Sequence, residues 1–186
     1  MKKWKILSSS VALDSKWFHV KKDIVELPNG RIVEDFYLWE SPDVVLTVPV
    51  TQDNKLIMVK QYKHGAGKII IEFPAGYINN DEAAVDAAKR ELEEETGYEA
   101  NEIELLKTMI HHPTKETGSY SIYLARVEKE KIKPQNFDGN EEIEVIEVPV
   151  HEVLDMIHDG RIYAAGSIAA AYLALDKLEY LKEDFK

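Results

Sequence analysis

Between Gly76 and Gly97 the chain reads GYINNDEAAVDAAKRELEEETG, and this stretch constrains the fold more than any other. Asn79, Asn80 and Asp81 are favourable N-cap residues, and Gly97 stands where a helix ends in the left-handed region. The spacing therefore predicts a helix from about Glu82 to Glu95. Its last turn carries Glu91, Glu93, Glu94 and Glu95, four carboxylates in five positions. Helix side chains three or four apart are neighbours, so Glu91 meets both Glu94 and Glu95, and each like-charged pair costs roughly 0.2–0.5 kcal/mol. Something must compensate, and a divalent cation is the simplest candidate. Hard cations such as Mg²⁺ take carboxylate oxygens together with substrate phosphates. Metal-dependent phosphate chemistry is the leading reading of this segment.

The rest of the chain supplies strands around that helix. Trp17 to Leu27 and Arg31 to Trp39 flank Pro28-Asn29-Gly30, a strong hairpin signal. Val44 to Val50 and Lys55 to Gln61 form a second pair around Asp53-Asn54. The apolar run Ile69 to Phe73 ends at Pro74-Ala75-Gly76, which must break the strand. Further strands are expected at about Ile103 to Ile110, Ser119 to Glu128 and Ile143 to Val148. Two helices, about Val150 to Asp159 and Ala164 to Leu181, follow them. Strands on both sides of a central helix, then terminal helices, predict a mixed-sheet α/β/α sandwich. A boundary near Glu40-Ser41-Pro42 separates an N-terminal antiparallel β-appendage, residues 1–41, from a catalytic domain, residues 42–186.

Composition excludes several classes. The formal net charge of −11 argues against binding bare nucleic acid, which needs a basic footprint. It also makes a naked polyphosphate an unfavourable partner unless metal ions screen the encounter. No run approaches the about 20 apolar residues of a membrane span, and MKKWKILSSS has no signal-peptide core. Cysteine is absent, so there is no disulfide framework or thiolate site, which fits a cytoplasmic location.

Within the central helix, Ala84, Ala88, Glu91 and Glu95 line one stripe. Arg90 stands four residues before Glu94 and can hold that carboxylate in a fixed rotamer, the usual support of a metal site. A solvated acidic face is the alternative for a generic glutamate run. Here the wider pattern decides. Gly76, Glu82, Arg90-Glu91-Leu92, Glu94-Glu95 and Gly97 match the polar and glycine positions of G-x5-E-x7-R-E-U-x-E-E-x-G-U, with Tyr98 at the last bulky position. The segment thus resembles the Nudix box. That resemblance implies the Nudix fold and Mg²⁺-assisted hydrolysis of a nucleoside diphosphate linked to another group, with Mn²⁺ as a substitute. It implies that Glu91, Glu95 and the Ala75 carbonyl are metal ligands. Glu94, oriented by Arg90, is a further candidate ligand.

Features outside the box look like the ADP-ribose pyrophosphatase branch, which includes nucleoside-diphosphate-sugar hydrolases. Val59-Lys60-Gln61-Tyr62-Lys63 and Ile71-Glu72-Phe73-Pro74-Ala75-Gly76 resemble its lead-in to the box. Pro113 lies sixteen residues after Gly97, where that branch places a marker proline. Gly160-Arg161-Ile162 and Ala165 to Leu175 resemble its tail. Lys63 falls where relatives carry a phosphate-binding arginine, although a lysine lacks the bidentate fork. Glu72 is either a residue near metal and substrate or a plain strand-end carboxylate. Trp17 and Trp39 are either a clamp on the base, where stacking contributes roughly 1–3 kcal/mol, or packing residues of the N-terminal sheet.

The resemblance puts the general base at Glu141, which also stands among the metal ligands. Glu142, Asp138 and Glu116 are alternatives, because Gly139 replaces an acid that some relatives carry. The loop His111 to Ser119 is less glycine-rich than its usual form, so the preferred sugar can differ from ribose. A ligand sensor without turnover and a hydrolase of damaged nucleoside triphosphates are the rival functions. An appendage of roughly forty residues is too small to bury a good core alone, and a twofold dimer is expected.

Overall fold

The computed structural model describes residues 1–128, 130, 133–136 and 142–182. They form two compact units, Met1–Asp43 with Ile110–Ser119, and Val44–Met109 with Tyr120–Lys186.

In the first unit, β1 (Lys5–Asp14), β2 (His19–Glu26) and β3 (Ile32–Trp39) form an antiparallel sheet in that order. The hairpin at Pro28-Asn29-Gly30 is present, with Gly30 at φ +82°. β1 is an addition to the expected strands: its sequence KILSSSVALD is Ser-rich and exposed throughout, so it shows no buried face. Trp17 falls in the turn before β2, not in the strand. The segment from 110 to 119 joins this unit through backbone hydrogen bonds. Trp39 N–H donates to the Lys115 carbonyl (2.8 Å), and Thr117 N–H donates to the Trp39 carbonyl (3.2 Å). Ser119 N–H donates to the Asp43 carboxylate (2.7 Å).

The second unit is built on a seven-stranded mixed sheet. Its path is β10 (Ile143–Pro149), β5 (Lys55–Lys63), β4 (Val44–Thr51), β9 (Ser119–Val127) and β8 (Ala100–Ile110). β6 (Lys68–Glu72) pairs with β5, and β7 (Ala75–Tyr77) pairs with β4. β4 and β9 run parallel, while β5 with β10 and β6, and β4 with β7, are antiparallel. Because strand side chains alternate, β4 feeds two cores at once. Leu46, Val48 and Val50 pack towards Ala170, Ala171, Ala174 and Leu175 of α3 (Ala165–Lys177) and Val153 and Met156 of α2 (Val153–His158). Val45 packs the other way, against Ala87 and Ala88 of α1 (Ala84–Thr96), and the Thr47 hydroxyl donates to the Ala88 carbonyl (3.3 Å). Burial on both faces explains why apolar residues occupy both faces of this strand, with Thr47 between them bonded to α1. The result is the expected α/β/α sandwich with its N-terminal antiparallel appendage.

Three boundaries differ from the sequence reading. Pro74 does end β6, but the chain resumes as β7 on a different neighbour, with the Pro74 carbonyl accepting from Thr47 N–H (3.0 Å). A residue without an N–H suits a crossing from one strand partner to another. The N-cap of α1 is Ala83, with no side-chain cap; Asn79 and Glu82 instead bond each other in the preceding turn. The expected C-terminal helices begin or end in short 3-10 turns, 150–152 and 180–182. Gly97 ends α1 in the left-handed region as expected, at φ +76°.

Candidate active site

α1 reaches β7 at two carboxylates. Glu95 is 5% exposed and accepts the Ala75 N–H (3.1 Å). One turn earlier, the Glu91 carboxyl group lies so close to Gly76 that any Cβ there would overlap it. Glycine at this position leaves the space that this rotamer of Glu91 occupies. Two box carboxylates and the Ala75 backbone thus share one short strip of β7.

Arg90 organises the rest. Its guanidinium donates to both oxygens of Glu82 (2.8 and 3.0 Å), to Glu91 (2.7 Å), to Glu94 (3.0 Å) and to the Tyr77 carbonyl (3.0 Å). The bidentate hydrogen bonds from Arg90, helped by Asn79 N–H, hold the Glu82 carboxyl down to about 2. Arg90 is in turn raised well above its ordinary value, first by Glu82 and then by Glu91 and Glu94. The role of Glu82 was not legible in the sequence: eight residues before Arg90 is no helical neighbour spacing, and α1 in fact begins after it. Its fixed place in the box was the only signal.

One guanidinium touches three carboxylates, so negative charge remains in surplus at this end of α1. Among the described residues, no three His, Asp or Glu side chains converge as a ready metal cage. The candidate donors are Glu91 and Glu95, which meet β7, the carbonyl of Ala75 on that strand, and Glu94, held by Arg90. All are hard oxygen donors, and few in number. That set fits a cation that keeps most of its shell for water and substrate phosphates.

A second support was also unforeseen. The C-terminal carbonyls of a helix need outside donors. Asn136 N–H donates to the Glu94 carbonyl (3.0 Å), Gln135 Nε2 to the Glu95 carbonyl (2.6 Å), and Lys133 N–H to the Gly97 carbonyl (3.2 Å). Lys133 Nζ pairs with Glu93 (2.9 Å) and Glu99 (2.7 Å). Nothing in the local sequence periodicity points from 133–136 back to α1.

The remaining expected residues are placed as follows. Lys63 and Glu72 pair with each other (3.0 Å), and Gln61 Nε2 donates to the same Glu72 oxygen (3.0 Å). Glu141 and Asp138 lie outside the described residues, and Glu142 is exposed. In the first unit, Trp17 is 69% exposed, with the Lys16 ammonium 4.4 Å from its ring centre. Trp39 stacks on Phe18 (4.8 Å, 20° between planes). The two indoles make no ring contact with each other among the described residues. Pro113 is exposed, and Glu116 is held by His111 (3.2 Å) and His112 (3.8 Å).

Known proteins resemble this chain over most of its length. The model of the NUDIX domain matches residues 41–169, and that of the nucleoside diphosphate sugar hydrolase N-terminal domain matches residues 4–39. The chain is 35% identical over 156 residues to the methanol dehydrogenase activator of Bacillus methanolicus, covering 83% of this chain and 84% of that one. It is 32% identical over 152 residues to the ADP-ribose pyrophosphatase of Bacillus subtilis (strain 168), covering 81% and 82%. A crystal structure of an ADP compounds hydrolase superposes with a TM-score of 0.84 at 25% identity, covering 97% of both chains.

Proposed function

The chain belongs to the Nudix family, and on that premise we propose that it hydrolyses the diphosphate bond of ADP-ribose or a related nucleoside diphosphate sugar. The products are a nucleoside monophosphate and a sugar phosphate. The observation that carries this reading is the seating of Glu91 and Glu95 along β7, fixed by the Arg90 network. The match of residues 4–39 to the sugar-hydrolase N-terminal domain supports the substrate class. The ADP-ribose pyrophosphatase and ADP compounds hydrolase among the similar proteins support it too.

Nudix hydrolases use divalent cations; here Glu91, Glu95, the Ala75 carbonyl and Glu94 would hold Mg²⁺, with Mn²⁺ as a substitute and Glu141 as a further ligand. When bound, the cation neutralises charge on the diphosphate. Arg90 keeps Glu91 and Glu94 in one rotamer so that the negative end of α1 is preorganised. Lys63 exchanges its pairing with Glu72 for a substrate phosphate. Glu141, with Glu142 as the alternative, takes a proton from water. The water oxygen bonds to one phosphorus as the bridging P–O bond breaks, and the bridging oxygen leaves on the other phosphate.

Trp17 stacks on the base, Trp39 supports that end of the sheet through Phe18, and Pro113 shapes the sugar side. We further assign a homodimer formed through residues 1–41, a cytoplasmic location, and no nucleic-acid partner at a net charge of −11. No helix is long and apolar enough to cross a membrane among the described residues.

The test is release of AMP from ADP-ribose with Mg²⁺, against an EDTA control. Glu95→Gln removes one ligand charge at nearly constant shape and is expected to lower turnover by roughly 10–100-fold. Near wild-type turnover in that variant would overturn the ligand assignment. Binding of ADP-ribose without turnover in the unmodified protein would make it a sensor.

A further inference from the structure

His19 occupies an unusual position at the closed end of the β1–β2 hairpin. It is the cross-strand partner of Asp14, and between them lies the four-residue turn Ser15-Lys16-Trp17-Phe18. Ser15 fixes that turn: Phe18 N–H donates to the Ser15 hydroxyl (3.0 Å), and Ser15 N–H donates to the Phe18 carbonyl (2.9 Å). The ring of His19 then reaches in two directions. Nδ1 lies 3.1 Å from the Asp14 carboxylate, and Nε2 lies 3.2 Å from the Glu40 carboxylate. Glu40 N–H also donates to the His19 carbonyl (2.9 Å).

A neutral imidazole has one N–H donor and one lone pair. It can satisfy only one of these carboxylates, and it would aim its lone pair at the other. Only the imidazolium can bond Asp14 through Nδ1 while setting positive charge beside Glu40 at Nε2. Charge accounting agrees. Lys21 binds the second oxygen of Glu40, so with His19 charged two cations face two carboxylates. The other charged or titratable groups on the elements around this cluster are Lys5 on β1, Lys16 in the turn, Lys22, Asp23 and Glu26 on β2, Glu34, Asp35 and Tyr37 on β3, and His111, His112, Lys115 and Glu116 in the 110–119 segment. Lys16 lies over Trp17, Lys115 over Phe36, and Glu116 is held by His111 and His112. Among the described residues, the ion-pair partners of His19 are Asp14 and Glu40. With His19 neutral, the cluster is left with excess negative charge and one contact is lost.

We propose that His19 is a positioning residue: charged, it latches Asp14 to Glu40 and sets the hairpin tip so that Trp17 is presented to the nucleobase of the substrate. The proposal rests on the reading that Trp17 stacks on that base. Phe18, between Trp17 and His19, is already anchored on Trp39, so the tip is held at its root by stacking and at its closing pair by charge. The latch needs the acid form of the ring, so its test compares conditions on both sides of the ordinary imidazole range.

The test compares wild type, His19→Gln, Trp17→Ala and the double variant with ADP-ribose and Mg²⁺ at about pH 6 and about pH 8.5. At the lower pH, His19→Gln is expected to raise KM about two- to fivefold, the weight of a partly exposed ion pair, with kcat unchanged. At the higher pH the ratio of the two KM values approaches one. In the Trp17→Ala background the His19 substitution adds nothing. A KM ratio independent of pH, an effect on kcat instead, or additivity with Trp17→Ala would each overturn the latch. Trp17→Ala without effect on KM would overturn the base-stacking reading and the latch with it. No hydrolysis of ADP-ribose by wild type would overturn the hydrolase reading. The latch is then judged on the ring-nitrogen signals of His19 in the full chain at about pH 6, assigned by their loss in His19→Gln. Two protonated nitrogens uphold it, and a neutral tautomer overturns it.

Discussion

At the scale of single residues, the site depends on Arg90 having a planar fork. A lysine would keep the charge but could not bind both oxygens of Glu82 while donating to Glu91 and Glu94. Arg90→Lys is therefore expected to lower kcat/KM by roughly 10–100-fold, with the metal dependence retained. Activity close to wild type would show that the fork is dispensable. Gly76→Ala tests the same strip from the opposite side. Its methyl group would displace the Glu91 carboxyl, so turnover should fall more than thermal stability does. Glu82 gives a pH signature. Its folded value, about 2, lies below the ordinary 4.5, so its contribution is present above that ordinary value. It is lost as pH falls through the folded value. The Tm difference between wild type and Glu82→Gln should be constant near neutrality and close between those two values. The box picked out residues that the fold does bring together, because spacing encodes a helix face. It did not tell how Glu82 works, because a turn outside the helix brings it to Arg90.

Elements show the same division between what local pattern reveals and what long-range bonding decides. α1 was legible from its glycine stop and its alanine–glutamate stripe, and β4 and β5 from their apolar runs. β1 was not legible, since an exposed Ser-rich strand has no buried face to alternate. β7 was hidden by the proline and glycine around it, and only its partner β4 makes it a strand. The 133–136 segment was hidden as well, because hydrogen bonds to the end of α1 leave no periodicity in sequence. That segment carries its own consequence. Gln135 Nε2 donates to the Glu95 carbonyl, and removing it leaves a helix-end acceptor without that donor. Gln135→Ala is expected to destabilise the protein by about 1 kcal/mol, read as a lower urea midpoint with an unchanged slope. An unchanged midpoint would mean that water replaces the amide at no cost.

For the whole molecule, the first unit poses the question that the catalytic unit does not. β1 exposes Ile6 and Val11, which register with Val25 and Lys21 on one face of the sheet. β1 is also an edge strand, with unpaired backbone groups along its outer side. A surface that is both apolar and open-edged is the kind that associates, and a twofold arrangement closes it without leaving a further edge patch. Sequence length and the hairpin signal made this unit visible, but not its third strand or its recruitment of residues 110–119. Both depend on pairings between distant segments. If the apolar strand face forms the dimer, placing charge on it should separate the subunits without unfolding them. Ile6→Glu combined with Val11→Glu is expected to shift sedimentation from a two-chain to a one-chain mass, while the circular dichroism spectrum stays the same. Hydrolysis by that monomer then distinguishes two roles for the unit. Retained kcat with a raised KM would mean that association serves substrate binding, as expected if Trp17 acts across the dimer. A two-chain mass in the doubly charged variant would exclude this face as the interface.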